Sequence, residues 1–323
     1  MNASRLTCAL AFLSPFLPLG AAAQNFPSGQ VRIVAPYPPG GGTDILGRAI
    51  AQKLTERHGT PAIVDNRAGA NGTIGAAYVA KAPADGHTML IVPAGYAANP
   101  ALYGKLPYDQ NRDLAPASHL ASGPLVLVVH PSLPAKSIRE LIALAKAQPG
   151  AINGGSAGVG SLPHLSLELF NTLAGAKIAH IPYKGSGAAI ADVLSGQVPV
   201  YFMNILQSLP LIKANRLRAL GVTSPGRSPI APQLPAIAEA GLPGFDMTNW
   251  YGLLVPSATP PETIARLQQE VSRILNLPEL KQRLSDDGMT VVASTPEAFV
   301  QFLRRETAKY TRVIEAAGIK GSL

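Results

Sequence analysis

Two glycine-rich runs carry the residue types and spacing of an anion site. The first is Tyr37-Pro38-Pro39-Gly40-Gly41-Gly42-Thr43-Asp44, and the second is Gly154-Gly155-Ser156-Ala157-Gly158-Val159-Gly160-Ser161. Glycines admit positive φ and let a ligand approach the main chain closely. A helix that begins just after such a run aims unpaired N–H groups, and the positive end of its dipole, at the loop. Neither run contains Arg or Lys, so an anion would be held by N–H groups and by the hydroxyls of Thr43, Ser156 and Ser161. Neutral donors suit a carboxylate that must later be released. For the first run, an anion site and a plain strand-to-helix turn with Thr43 as N-cap fit the residues equally. A Walker loop is excluded because no Lys-Ser/Thr pair follows the glycines, and G-x-G-x-x-G fails at Ile45.

The second run also reads as G-x-S-x-G, the strand-to-helix elbow that exposes the nucleophile of α/β-hydrolases. That chemistry needs an acid and then a histidine after Ser156. His164 and His180 are the only histidines that follow, and Glu168 is the sole acid between Ser156 and His180. Glu168 lies one turn beyond His164 on the same helix, poorly placed to orient a base on another loop. No catalytic residue is therefore assigned, and a serine hydrolase stays as the minor alternative. The histidine spacing suits no metal, and no motif calls for a cofactor. A third turn, His180 to Gly187, carries Lys184, the nearest fixed cation to the proposed site and equally well read as a solvated lysine.

The elements that would position these loops alternate in type. Strands are expected at Val31 to Ala35, Pro61 to Val64 and His87 to Val92, with helices at Thr43 to His58 and Asn71 to Ala82 between them. A second series has strands in Pro124 to His130, Ile152 to Gly155, Lys177 to Ile181 and Val198 to Met203. Its helices span Leu162 to Leu173 and Ala188 to Leu194, after one capped by Ser137 and Glu140. Such alternation signifies βαβ units, with ligand loops at the carboxyl ends of the strands. A Pro-rich connection at 223–235 follows. Two long amphipathic helices close the chain, the first capped by Thr259 and Glu262 with Pro260 at its first position, the second starting after Thr295. Ile264, Leu267, Val271 and Ile274 stripe one; Phe299, Leu303, Tyr310 and Ile314 stripe the other.

Length and composition agree. The 323 residues are enough for two lobes, 47% are apolar and 14% are charged, which excludes a disordered chain. The formal net charge of +8 is scattered rather than gathered into the stripe that a nucleic-acid binder presents. The first residues read as an export signal: Arg5, an apolar run from Leu6 to Leu19, and the small residues Ala21-Ala22-Ala23. Cleavage after Ala23 removes residues 1–23, including Cys8, the only cysteine. Pro15, Pro18 and the short run argue against a membrane span. The mature chain is expected to be soluble and periplasmic.

Beyond these readings the chain resembles the substrate-binding proteins of tripartite tricarboxylate transporters, the Bug family. The matching segments include Tyr-Pro-Pro-Gly-Gly-Gly-Thr-Asp at 37–44, Asp-Asn-Arg-Ala-Gly-Ala-Asn-Gly-Thr-Ile-Gly at 65–75 and Ala-Asp-Gly-His-Thr-Met-Leu at 84–90. Further matches are Asn-Pro-Ala-Leu-Tyr at 99–103, Ser-Ala-Gly-Val-Gly-Ser-Leu-Pro-His-Leu at 156–165, His-Ile-Pro-Tyr-Lys-Gly-Ser-Gly at 180–187 and Glu-Ala-Gly-Leu-Pro-Gly-Phe at 239–245. They span nearly the whole mature chain in family order. The resemblance implies a two-lobed α/β periplasmic-binding-protein fold, each lobe a mostly parallel sheet flanked by helices, with long C-terminal helices. One lobe would combine 24–122 with 236–323, and the other would be 123–235.

It further implies that the two loops pinch one carboxylate of a small ligand, partly through water. The pinching positions implied are Gly42, Thr43, Asp44, Ser156, Ala157, Gly158 and His164; Tyr37, Gly41, Ser161 and, deeper, Asn204 are expected as further ligand contacts. Asp44 would repel an anion unless it holds water or meets a ligand amino group. The implied partners are membrane transporter subunits or, alternatively, a sensor kinase, with the protein acting as a monomer. Two departures from the family pattern, Met203-Asn204 and the alanines at 94 and 97, make the far end of the pocket more apolar. They point toward a less polar or aromatic monocarboxylate rather than a citrate-like polyacid.

Overall fold

The computed structural model describes residues 27–322, so the export signal and its cleavage site lie outside the described residues. From the first strand the chain runs β1 (Val31–Ala35), α1 (Gly42–His58), β2 (Ala62–Asn66), α2 (Thr73–Ala80) and β3 (Thr88–Pro93). Then come a 3₁₀ turn at Ala94–Ala98, α3 (Asn99–Leu102) and β4 (Leu114–Gly123). A second series follows: β5 (Leu125–Val129), α4 (Ile138–Ala147), β6 (Asn153–Ser156), α5 (Leu162–Ala174) and β7 (Ala179–Pro182). It continues with α6 (Ser186–Ser195), β8 (Val200–Asn204), α7 (Ile205–Lys213) and β9 (Arg218–Val222). The chain closes with α8 (Ile237–Ala240), β10 (Asn249–Pro256), α9 (Pro261–Leu275), α10 (Pro278–Asp286), β11 (Thr290–Val291) and α11 (Pro296–Ala316).

Two sheets result, flanked by helices. The first has the order β11-β4-β10-β3-β1-β2 and the second β7-β6-β8-β5-β9. The βαβ halves are parallel: β1 with β2 and β3, β6 with β7 and β8. Next to the crossovers the pairing is antiparallel, with β10 between β3 and β4, and β5 between β8 and β9. Each sheet is thus mixed where the sequence suggested a mostly parallel one. The reason is that the chain leaves the first sheet at Gly123 and re-enters it at Asn249 from the same end, beside β4, so the returning strand runs backwards.

Burial explains why these segments hold. The five residues of β5 are all buried, as a central strand requires. The side of the first sheet that meets α1 and α9 gathers Ile33, Ile91 and Leu253 with Ile50, Leu54, Leu267 and Val271. A second core runs through both sheets, joining Leu90, Val92 and Trp250 to Leu127, Phe202, Leu165, Phe170, Phe299 and Ile314. Helix α11 packs against β4 and the 94–98 turn as well as α5, so it touches elements attached to both sheets.

Several local expectations need correction. Helix α1 starts at Gly42 with Gly41 as N-cap, so Thr43 lies inside the first turn and does not cap it. The N-cap of α9 is Pro260, and the Thr259 hydroxyl is buried without a hydrogen-bond partner among the described residues. The Ser137 cap does form, accepting from Glu140 N–H at 3.2 Å, and Thr295 Oγ1 accepts from Ala298 N–H at 3.3 Å. The segment 71–82 begins as a 3₁₀ turn at Ala70–Gly72 with Asn71 at φ 48°, and becomes helical only at Thr73.

Candidate ligand-binding site

Both glycine-rich loops leave the carboxyl ends of parallel strands, β1 and β6, as the alternation of elements requires. Of the three glycines in the first loop, only Gly40 uses positive φ, at 85°. Gly42 is needed for another reason. A Cβ placed on it would stand 2.5 Å from Tyr251 Cζ and closer still to the hydroxyl, so only glycine lets the first turn of α1 rest on that phenol. Among the described residues, the N–H groups of Gly42 and Thr43 donate to no protein acceptor, and these are the free donors of a helix N-terminus.

The Asp44 carboxylate is buried and turned to its own helix. It accepts from Gly40 N–H at 2.9 Å and from Arg48 Nε at 3.0 Å, with Arg48 Nη2 at 2.9 Å from its other oxygen. Burial works against its charge, but the hydrogen bonds from Arg48, Gly40 and Asn66 outweigh it and hold the pKa below the ordinary carboxylate value. Arg48, exposed beyond the loop, thus balances the charge that would otherwise repel an anion.

The second loop is held from beneath by two histidines. Ser156 is fully buried, and its Oγ lies 2.6 Å from His180 Nε2 while accepting from Gly158 N–H at 3.1 Å. His164 Nδ1 accepts from Gly160 N–H at 3.1 Å, and the rings of His164 and His180 stack at 3.7 Å. Burial, and then the neighbouring His164, push the pKa of His180 down to about 3, so the ring supports the loop as a neutral group. Ser161 Oγ donates to Gly158 O at 2.7 Å and closes the turn, at whose centre Gly158 sits at φ 128°. Ala157 is half-buried in the same loop.

Ser156 therefore does meet a histidine, a contact that sequence order did not anticipate. The geometry still differs from a hydrolase triad. Glu168 approaches His164, at 3.6 Å, and among the described residues no carboxylate is bonded to His180. The serine hydroxyl is enclosed, held between Gly158 of its own loop and His180 of β7.

A residue not singled out from the sequence stands where the two loops approach each other. Tyr37 Oη donates to Asn71 Oδ1 at 2.9 Å, and Asn71 Nδ2 donates to Asn99 Oδ1 at 2.8 Å. The same Asn71 amide would stand 3.2 Å from a Cβ on Gly160, and a Cβ on Gly95 would stand 3.5 Å from Gly160 O. Asn71 thus ties the base of the first loop to Asn99 and lies beside Gly160 at the tip of the second. Its signal in the sequence was the Gly-Ala-Asn-Gly run, since Asn tolerates the left-handed region better than most residues. Asn204 stands at the end of β8, where its Oδ1 caps α7 by accepting from Leu206 N–H at 3.0 Å. Ala94 and Ala97 are buried in the 94–98 turn. Lys184 is exposed, with no ion pair among the described residues. A separate hollow of about 240 Å³ opens at the crossovers, where Ser122, Ser224, Ser228, Thr248 and Thr290 face it.

The comparisons with known proteins fit this arrangement. Residues 46–319 match the family model of the tripartite tricarboxylate transporter family receptor. The chain belongs to that family. BugT of Bordetella pertussis is 36% identical over 324 residues, covering 99% of both chains. A Pseudomonas sp. (strain P51) protein in the tcbD–tcbE intergenic region is 38% identical over 290 residues, covering 90% of this chain and 86% of its own. Among solved structures, Rpa4515 of R. palustris with adipate superposes with a TM-score of 0.84 at 37% identity, over 92% of this chain and 99% of that one. MatC (Rpa3494) of Rhodopseudomonas palustris with bound malate gives 0.80 at 31% identity, over 90% and 100%. The fold is that of these periplasmic binding proteins, and the family is one of solute-binding receptors rather than enzymes. Among the described residues no helix is long and apolar enough to cross a membrane.

Proposed function

We propose that this chain is an exported receptor that captures a small carboxylate between two lobes and delivers it to the membrane subunits of a tripartite transporter. The observation that carries the reading is the approach of the two neutral, glycine-rich loops on either side of Asn71, with the free N–H groups of Gly42 and Thr43 at one helix N-terminus. The lobes correspond to 24–122 with 236–323, and to 123–235. The first supplies Tyr37, Gly41, Gly42, Thr43 and Asp44, and the second Ser156, Ala157, Gly158, Ser161, His164 and Asn204. The adipate and malate held by two relatives support a small carboxylate as the ligand, and the apolar Ala94 and Ala97 favour one whose far end is less polar than a second carboxylate.

A thermal-shift screen against aliphatic dicarboxylates, hydroxy acids and aromatic acids tests the reading, because a ligand that binds only the folded chain raises its apparent stability. At least one carboxylate should raise the melting temperature, and solution scattering with it should show a smaller radius as the lobes close. No shift with any carboxylate would refute capture. Export is tested by N-terminal sequencing from a periplasmic extract, which should begin at Gln24; a chain still starting at Met1 would refute cleavage.

A further inference from the structure

Tyr251 lies outside both glycine-rich loops, on the strand that returns from the second sheet to the first. It stands at the cleft end of β10, opposite Ala121 of β4 and Pro93 of β3. Its side chain passes under the first turn of α1, where its hydroxyl takes the space a Gly42 side chain would need. The hydrogen bonding of that hydroxyl is directional. Asn249 Nδ2 donates to Tyr251 Oη at 3.0 Å, which occupies an acceptor site of the phenol. No described residue accepts the phenol's own proton. Burial, opposed by the Asn249 hydrogen bond, raises the pKa, so the proton is in place at any physiological pH.

We infer that Tyr251 is a third arm of the ligand site, donating its hydroxyl hydrogen bond to the same carboxylate that the N–H groups of Gly42 and Thr43 receive, with Asn249 positioning it. The inference rests on the carboxylate reading above. Three neutral donors then converge at the start of α1, and the one hydroxyl among them already accepts from Asn249. An ionised carboxylate, which only accepts, suits all three, whereas a carboxamide would bring its own N–H groups against them. The arm also comes from a crossover strand, so the ligand touches the hinge itself as well as the two loops.

The test uses the full mature chain and the carboxylate that gives the largest thermal shift, with adipate tried first. Tyr251→Phe removes the hydroxyl alone and should weaken binding about 10- to 100-fold by titration calorimetry, the range expected for one hydrogen bond to a charged group. The unliganded variant should melt close to the parent. A crystal structure of the parent with that carboxylate should place Tyr251 Oη within hydrogen-bond distance of a carboxylate oxygen, which a merely structural tyrosine would not do. Asn249→Ala keeps the phenol but frees its orientation, and should give a smaller loss; it serves as the binding test if Tyr251→Phe does not fold. Unchanged affinity in the variant that folds, or an Oη that touches no ligand atom, would overturn the inference while leaving the carboxylate reading intact. If no carboxylate binds the parent at all, both fall together.

Discussion

Substitution of Gly42 by Ala puts the contact between α1 and Tyr251 under direct strain. The new methyl would stand 2.5 Å from Tyr251 Cζ, where carbon atoms ordinarily rest about 3.5 Å apart, so ring and helix must separate by about 1 Å. Tyr251 is buried against the core formed by Leu46, Ile50 and Leu253, and its hydroxyl is held by Asn249, which leaves the ring little room to retreat. Overpacking of this kind costs about 1–3 kcal/mol. For a chain of this size we expect a fall of about 2–6 °C in melting temperature, with a matching drop in the urea midpoint at unchanged slope. The N–H groups of Gly42 and Thr43 shift with the helix, so carboxylate affinity should fall at least tenfold by calorimetry. A double-mutant cycle separates crowding from backbone effects. Tyr251→Ala alone should cost about 3–5 kcal/mol, and the added methyl should be better tolerated in that background, with a coupling of about 1–3 kcal/mol. If Gly42→Ala unfolds at the parent's midpoint, or if the two substitutions simply add, the contact does not explain the glycine.

Acid should weaken the fold through its neutral histidines. Burial holds the pKa of His119 down to about 4, so below pH 6.5 the unfolded chain binds a proton that the folded chain refuses. Its contribution is complete above pH 6.5 and fades as pH falls toward 4. Urea unfolding at pH 7.5 and 4.5 should differ by about 2 kcal/mol from this ring alone, and His119→Phe, which keeps the stack on Phe302, should flatten the slope by that amount. Ser156→Ala strands Gly158 N–H and His180 and should weaken ligand binding about tenfold, with p-nitrophenyl ester hydrolysis at the buffer rate before and after; serine-dependent turnover would revive the hydrolase. Thr43→Ala should weaken binding about tenfold, whereas Lys184→Ala should change it less than twofold, and the reverse order by calorimetry would move the anion site to the third turn.

The βαβ halves were legible because their strands are short apolar runs and their helices begin at glycine-rich turns. The crossover elements were not. Strand β10 reads Asn-Trp-Tyr-Gly-Leu-Leu-Val-Pro, with a central glycine and no clean alternation, and its identity comes from sitting between two strands that the sequence places far away. The Gly252 that breaks the pattern is there because a Cβ would enter the ring of Phe299. The two-residue β11 and the nine-residue α10 are too short to declare a period. At the site, the loops and their residue types were visible, but the use of Gly42 was misread. Its spacing suggested a need for positive φ, and the structure shows a helical residue pressed on a side chain more than 200 positions away. His180 as the partner of Ser156 was missed for the same reason, since stacking on His164 is a property of space rather than of order.

The placement of β10 between β3 and β4 also sets the order in which the chain can mature. These two strands form no hydrogen bonds with each other, so a ribosome that has made the first 240 residues has released a sheet in two pieces, each with an open edge. The gap closes only when residues 249–256 arrive, and the 94–98 turn and α5 stay uncovered until α11, residues 296–316, settles on them. Such distant pairing is slow and leaves the nascent first sheet unfinished until β10 and α11 have been made. A chain truncated before Asn249 should yield no smaller stable unit from its first sheet, and the unpaired edges of β3 and β4 would be its points of aggregation.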